Sequence, residues 1–123
     1  MTSLGILQHI IEILNKDTEL KEIISSKVFV QIAEENTTFP FIVCKRETLI
    51  PTYVKKNVVE DSIDISVNIA SITYKQVIQI AELIRKDLEL KEDEMIKQCR
   101  LINVTEDYIE NAYVQILQFN ILA

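Results

Sequence analysis

The sequence predicts an α+β domain, with a small, mostly antiparallel sheet of four to five strands packed against one long helix and an N-terminal helix. The predicted order is α-β-β-β-α-β-β. Residues 62–71 read SIDISVNIAS, where apolar and polar residues alternate as in a half-buried strand. Residues 73–88 instead space their apolar residues three and four apart, which is typical of an amphipathic helix. Strand-like segments lie unevenly on both sides of this helix, which favours α+β.

The N-terminal third predicts one helix, a short helical turn and a strand. Thr2 or Ser3 is available to cap the first helix, and Asp17 begins the short turn, which Ser25-Ser26 ends. VFVQI, residues 28–32, reads as the first strand, and AEENTTFP as the polar turn after it. The apolar stripe of the first helix comprises Leu4, Leu7, Ile10, Ile11 and Leu14.

The middle of the chain predicts a second strand, an interruption and a third strand. Pro40 is tolerated only where a strand starts, which fits FIVCKRET, residues 41–48, as the second strand. Residues 49–60, LIPTYVKKNVVE, break the strand pattern with Pro51 and the Lys55-Lys56 pair. We expect a long connection or a protruding hairpin there.

The long helix and the two strands after it complete the sheet. Thr73 and Gln76 have the spacing of a capping box, in which each side chain satisfies a backbone N–H at the helix start. A fourth strand is predicted at about residues 99–105, a polar turn at EDYIEN, residues 106–111, and a last strand at residues 112–122. Apolar residues on both sides of the last strand predict that it is central or covered on both faces.

Composition limits the classes of function. The 123 residues suit a single domain, and a net charge of −6 argues against nucleic-acid binding. No apolar run approaches the roughly 20 residues that span a bilayer, and the N-terminus lacks a signal-peptide pattern, so we expect a cytoplasmic product without a membrane partner.

The residues offer no recognisable catalytic, cofactor or metal motif. One glycine in the whole chain excludes the usual phosphate-binding loops, and His9, the single histidine, is predicted to be a surface or boundary residue of the first helix. Cys44 and Cys99 fit no metal or redox spacing and are predicted to be buried, reduced thiols. We therefore expect no cofactor and no enzymatic activity. A deep pocket with convergent ionisable groups would favour an enzyme instead.

Residues 49–60 are the candidate interaction segment. Apolar residues and two adjacent cations lie here in a region that otherwise reads as exposed, within an acidic protein. The segment is either a mobile loop or a docking arm that projects roughly 15–20 Å and becomes ordered against a partner. The residues that we expect to make contact are Pro51, Tyr53, Val54, Lys55 and Lys56.

The order of these patterns resembles the tail-completion, or head–tail joining, proteins of long-tailed bacteriophages. The matching features are Phe39-Pro40-Phe41 within LKEIISSKVFVQIAEENTTFPFIVCKRET, the strand SIDISVNIAS, the tyrosine that opens the helix in SITYKQVIQIAELIRKDL, and the closing strand AYVQILQFNIL. The resemblance covers nearly all of residues 1–123. The chain departs from the pattern in its near absence of glycine and its acidic linker KEDE.

The resemblance implies a structural protein that forms a ring at the head-proximal end of the tail tube and joins the tail to the head. The implied partners are further copies of the chain, the tail tube protein and the head connector proteins. The protein would be found in the host bacterial cytoplasm during assembly and then in the virion tail. Two alternatives remain: a tail terminator that caps the tube and sets its length, and a cytoplasmic interaction adaptor unrelated to phage.

Overall fold

The structure is a computed structural model that describes residues 3–123. A short 3-10 helix, Ser3–Gly5, precedes three α-helices and five strands. The α+β class and the predicted order are confirmed, and the short turn after the first helix is a helix of its own. The elements are α1 (Ile6–Asn15), α2 (Thr18–Ile24), β1 (Val28–Val30), β2 (Phe41–Val54), β3 (Asn57–Ser71), α3 (Tyr74–Leu88), β4 (Gln98–Ile109) and β5 (Ala112–Leu122).

The five strands form one sheet in the order β1-β2-β3-β5-β4. β1 pairs with β2 in parallel, and all other neighbours are antiparallel. β5 lies between β3 and β4, so its predicted central position is confirmed. Its two faces differ, because Leu117 and Phe119 on one face are buried whereas Val114 and Ile116 on the other face are only partly buried. The apolar residues on both sides of β5 therefore reflect its interior position rather than full cover on both faces.

The helices share one hydrophobic core with one face of the sheet. In β3 the predicted alternation is confirmed, since Ile63, Ile65, Val67 and Ile69 are buried and belong to this core. The opposite face of β3 carries Ser62, Asp64, Ser66 and Asn68. The helical residues of the core are Ile6, Leu7, Ile10 and Leu14 from α1, Leu20 and Ile24 from α2, and Val77, Ile80, Leu83, Ile84 and Leu88 from α3.

Two of the three helices begin as predicted. The Asp17 carboxylate accepts a hydrogen bond from the Leu20 backbone at 3.1 Å, and the Thr73 hydroxyl accepts one from the Gln76 backbone at 3.3 Å. The reciprocal half of the predicted capping box is absent, because the Gln76 side chain accepts from the Ser71 hydroxyl instead. The Thr73 backbone N–H is directed to that same Ser71 oxygen, so a neighbouring side chain satisfies the donor.

The first helix begins later than predicted. α1 starts at Ile6 with Gly5 as its N-cap, and no side chain caps it. Ser3 belongs to the 3-10 helix before α1, which removes it from the capping position. The alternative cap, Thr2, lies outside the described residues.

Three strand boundaries differ from the prediction. β1 ends at Val30 because Gln31 takes a positive φ of 70°. β2 and β3 continue through most of residues 49–60, so this segment is a hairpin rather than a long connection. β4 runs to Ile109, and only Glu110 and Asn111, with φ of 50° and 65°, form the predicted turn. Charged residues are tolerated in this part of β4 because it is an exposed edge strand.

Candidate interaction surfaces

Residues 51–60, which we call the arm, form the far end of the β2–β3 hairpin. Its base is marked by Asp61, which exchanges both backbone hydrogen bonds with Ala123 at 2.9 and 3.0 Å. Beyond this point β2 and β3 pair only with each other, through Thr52–Glu60, Tyr53–Val58 and Val54–Asn57. Four residues at about 3.3 Å each extend the arm about 13 Å past the end of β5. The arm is thus a regular two-stranded ribbon with a reach slightly below the expected one.

The arm presents apolar side chains along its length and cations at its tip. Tyr53, Val54 and Val58 are 61%, 54% and 55% exposed, which is unusual for large apolar residues on neighbouring positions of a strand pair. Lys55 and Lys56 form the two-residue turn between β2 and β3, with Lys55 at a positive φ of 58°. Within residues 3–123 neither lysine takes part in an ion pair. The tip therefore carries two solvated positive charges.

Pro51 lies inside β2 rather than interrupting the sheet. Its register partner Asp61 directs its own N–H and C=O toward Ala123, on the β5 side. In an antiparallel pair, two facing residues either both direct their backbone groups toward each other or both direct them away from each other. Asp61 directs its groups away from β2, so the Pro51 nitrogen points away from β3, toward the outer edge of β2. Over residues 3–123, β1 covers this edge only at 42–44. The missing N–H costs no ladder bond and makes the edge a poor template for strand addition.

All five predicted interaction residues therefore lie on one projecting hairpin. Sequence reasoning missed two residues near its base. Ile50 is 62% exposed although it belongs to β2, and the Lys97 ammonium group donates to the Val59 carbonyl at 2.9 Å. The exposure of Ile50 follows from its pairing with Ser62, which places it on the sheet face opposite the helices. The Lys97 contact joins residues 38 positions apart and has no local sequence signal.

The opposite end of the sheet carries the acidic hairpin, which we define as residues 106–111, at the end of β4 and in the turn before β5. The β3–β5 register pairs Ser62 with Leu122 near the arm and Ser71 with Tyr113 near the acidic hairpin. The Glu106 carboxylate accepts hydrogen bonds from the Tyr74 hydroxyl at 2.9 Å and the Gln115 amide at 2.7 Å.

The other two carboxylates of the acidic hairpin, Asp107 and Glu110, are exposed and have no ion-pair partner within residues 3–123. The basic tip of the arm and these two acidic groups thus lie at opposite ends of one rigid sheet. A subunit built this way presents two different, oppositely charged ends.

An apolar hollow of about 240 Å³ lies beside the acidic hairpin, on the sheet face opposite the helices. Phe39 and Phe41 form one wall and stack with ring centroids 5.4 Å apart. Across the hollow lie Ile109, which is 50% exposed, and Glu110. The remaining lining residues are Val43, Asn68, Ile69, Ala70, Ala112 and Val114.

A groove of about 600 Å³ lies between α1, α2 and the end of α3, and we call it the carboxylate groove. Its lining includes several ionisable side chains, among them His9, Asp17, Asp87 and Asp93. His9 Nε2 and Asp93 Oδ2 are 2.7 Å apart, so a hydrogen bond to Asp93 holds the histidine at the helix surface. Asp17 and Asp87 interact within the same groove. Burial, together with the hydrogen bond that Asp87 donates to Asp17, raises the pKa of Asp87 to about 7, and the same hydrogen bond lowers the pKa of Asp17.

The carboxylate groove lacks the thiol that a cysteine-dependent reaction would need. Cys44 and Cys99 are free, fully buried and absent from its lining, as predicted for inert thiols. Burial raises the pKa of each thiol to about 12. Within the described residues 3–123, no cluster of three or more histidine, cysteine or acidic side chains is suited to a metal ion. No helix in this part of the chain is long and apolar enough to cross a membrane.

Comparisons with known proteins give matches among solved structures. No protein-family model matches the sequence, and no curated protein matches it either. Among solved structures, the chain is similar to a chain in the virion of a native gene transfer agent particle, with a TM-score of 0.79. The match covers 92% of this chain and 90% of that chain at 10% sequence identity. At this identity the comparison shows that the two chains share a fold.

Proposed function

We propose that this protein is a virion structural protein of a long-tailed bacteriophage that forms a ring at the head-proximal end of the tail tube and joins the tail to the head. The observation that carries the proposal is the shared fold over nearly the whole of both chains with a component of a gene transfer agent virion. The resemblance of the sequence patterns to tail-completion proteins supports the same assignment.

The two ends of the sheet suit ring assembly. A ring built by head-to-tail contacts requires two different, complementary patches on each subunit. The arm and the acidic hairpin are such a pair, since they lie at opposite ends of the sheet and carry opposite charges at their tips. The proposed partners are further copies of the chain in the ring, the tail tube protein on one side and the head connector proteins on the other. Assembly takes place in the host bacterial cytoplasm and leaves the protein in the virion tail.

The proposal assigns no catalytic role to the chain. Two acidic residues of the carboxylate groove stabilise the fold. Asp17 caps α2, and the Asp93 carboxylate accepts hydrogen bonds from the Met95 and Ile96 backbone, both at 2.8 Å. The remaining alternatives are a tail terminator that caps the tube and a cytoplasmic adaptor unrelated to phage. Both are compatible with a rigid sheet and an exposed arm.

Electron microscopy of a lysate from a phage or induced prophage in which this gene alone is disrupted separates these roles. The joining role predicts filled heads beside detached tails of normal length. Overlong or irregular tubes would assign the protein to tail termination instead. Intact, infectious particles would contradict a virion role and favour the adaptor. Restoring the gene from a plasmid is the control for effects on neighbouring genes.

A further inference from the structure

We infer that the arm of one subunit docks on the acidic hairpin of the next, with Tyr53 seated in the apolar hollow and Lys55 and Lys56 paired with Asp107 and Glu110. This inference rests on the proposed ring and specifies the contact that builds it. The occupant of the hollow is thus a second copy of this chain.

The first argument is charge complementarity. The whole chain carries a net charge of −6, so two copies repel one another unless they bring opposite charges together. Lys55 and Lys56 are the basic residues of the arm, and its single acidic residue, Glu60, lies at the base away from the tip. Asp107 faces Val114 in the β4–β5 register, so it lies on the same sheet face as the hollow, and Glu110 lines the hollow itself. Two free cations on one copy therefore match two free carboxylates on another.

The second argument is the fit of an aromatic anchor to the hollow. The hollow has a volume of about 240 Å³ and a mostly apolar lining, so it has room for the ring of a tyrosine side chain. Tyr53 is 61% exposed and is the only aromatic residue of the arm. The stacked Phe39 and Phe41 rings offer it an aromatic wall. Tyrosine at the centre of an interface, surrounded by charged residues, is a common energetic hot spot.

The third argument is geometric. Tyr53 lies two residues before Lys55, the first lysine of the tip, and Glu110 lies in the wall of the hollow. When the Tyr53 ring enters the hollow, the lysines of the tip therefore lie close to the carboxylate of Glu110. The arm projects about 13 Å past the end of β5, so its tip lies beyond the contact between Lys97 and Val59 of its own chain. Because the arm and the hollow lie at opposite ends of the sheet, the contact is head-to-tail and continues from subunit to subunit.

Charge exchange tests this contact with the full-length protein. One variant reverses the arm (Lys55→Glu with Lys56→Glu), a second reverses the hairpin (Asp107→Lys with Glu110→Lys), and a third combines all four changes. The combined variant has the same net charge as the natural chain, so it is the matched control for general electrostatic effects. All four positions are exposed, and thermal unfolding followed by circular dichroism verifies that each variant folds.

Sedimentation velocity of each variant and of a 1:1 mixture of the first two measures association. We expect each double variant to lose association at least about tenfold, because like charges then face each other across the contact. The mixture and the combined variant should recover it. Tyr53→Ala should weaken association about tenfold, whereas Tyr53→Phe should retain it because the hollow is apolar.

The outcomes distinguish this inference from the proposed function. Two results would overturn the docking of the arm on the acidic hairpin and leave the ring intact. In the first, the natural chain forms rings and both double variants form them equally well. In the second, the double variants lose association and neither the mixture nor the combined variant recovers it. Monomers of the natural chain at every concentration, together with full complementation of the disrupted phage by both double variants, would overturn the contact and the ring together.

Discussion

Asp87→Asn should change the pH dependence of stability rather than stability at every pH. Asp17 and Asp87 lie about 70 positions apart in the sequence and meet in the carboxylate groove, where one oxygen of each, Oδ2, is buried without another hydrogen-bond partner. Burial is the largest cause that raises the pKa of Asp87 to about 7, and the hydrogen bond and negative charge of Asp17 add to it. The pair therefore shares one proton below neutral pH, with a neutral Asp87 donating to an ionised Asp17.

The sign of the effect follows from proton binding. The pKa of Asp87 is higher in the folded protein than its ordinary value of 3.8, so its stabilising contribution is fully present below about pH 4 and is lost progressively as the pH rises to about 7. A rise of the pKa from 3.8 to about 7 would correspond to about 4 kcal/mol for a group fully shielded from water. The groove is open to water and Lys86 and Lys91 offset part of the repulsion, so screening reduces the expected loss to about 1 kcal/mol.

Urea unfolding at pH 5 and pH 8 measures this loss. The asparagine amide donates to Asp17 at both pH values, so the unfolding free energy of Asp87→Asn relative to the natural chain should be higher at pH 8 than at pH 5, by up to about 1 kcal/mol. Glu82→Gln, at an exposed position on the same helix, is the control. Equal destabilisation of Asp87→Asn at both pH values would refute the shared proton.

Three further predictions concern the core, a helix cap and the thiols. Phe119→Ala, at a fully buried position, should reduce the unfolding free energy by about 3–5 kcal/mol; a loss below about 1 kcal/mol in urea unfolding would contradict its place in the core. Thr73→Ala removes the acceptor for the Gln76 N–H and should cost about 1 kcal/mol, whereas Thr73→Ser should retain the cap. Cys44 and Cys99, whose pKa values burial raises to about 12, should resist iodoacetamide at pH 8 until urea unfolds the chain, and rapid labelling of the native protein would count against this.

The sequence predicts those elements in which one physical pattern dominates. Residues 62–71 and 73–88 follow strand and helix periods so closely that burial of alternate residues in β3 and of one stripe on α3 was predictable. The ends of the hairpins were not, because Pro51 and the acidic residues 106–107 look like breakers in sequence. Both lie on edges of the sheet, where a missing N–H or a solvated charge costs little.

The candidate surfaces were predictable only in part. The arm residues can be recognised in the sequence as apolar and basic residues in an otherwise polar stretch, and in the structure they lie on one hairpin. The apolar hollow combines Phe39 and Phe41 with Ile109, which are some 70 positions apart, so only the sheet register brings them together. The Asp17–Asp87 pair is similar, since Asp17 is recognisable as a helix cap but nothing in the sequence indicates its second partner.

The most direct measurement of the central claim is the position of the protein in the virion. Electron microscopy of particles that carry a gold-labelled tag on this chain would locate it. A head–tail joining ring predicts a single cluster of label at the junction between head and tail, in every intact particle. Label spread along the tail tube, or purified particles that carry none, would contradict the account.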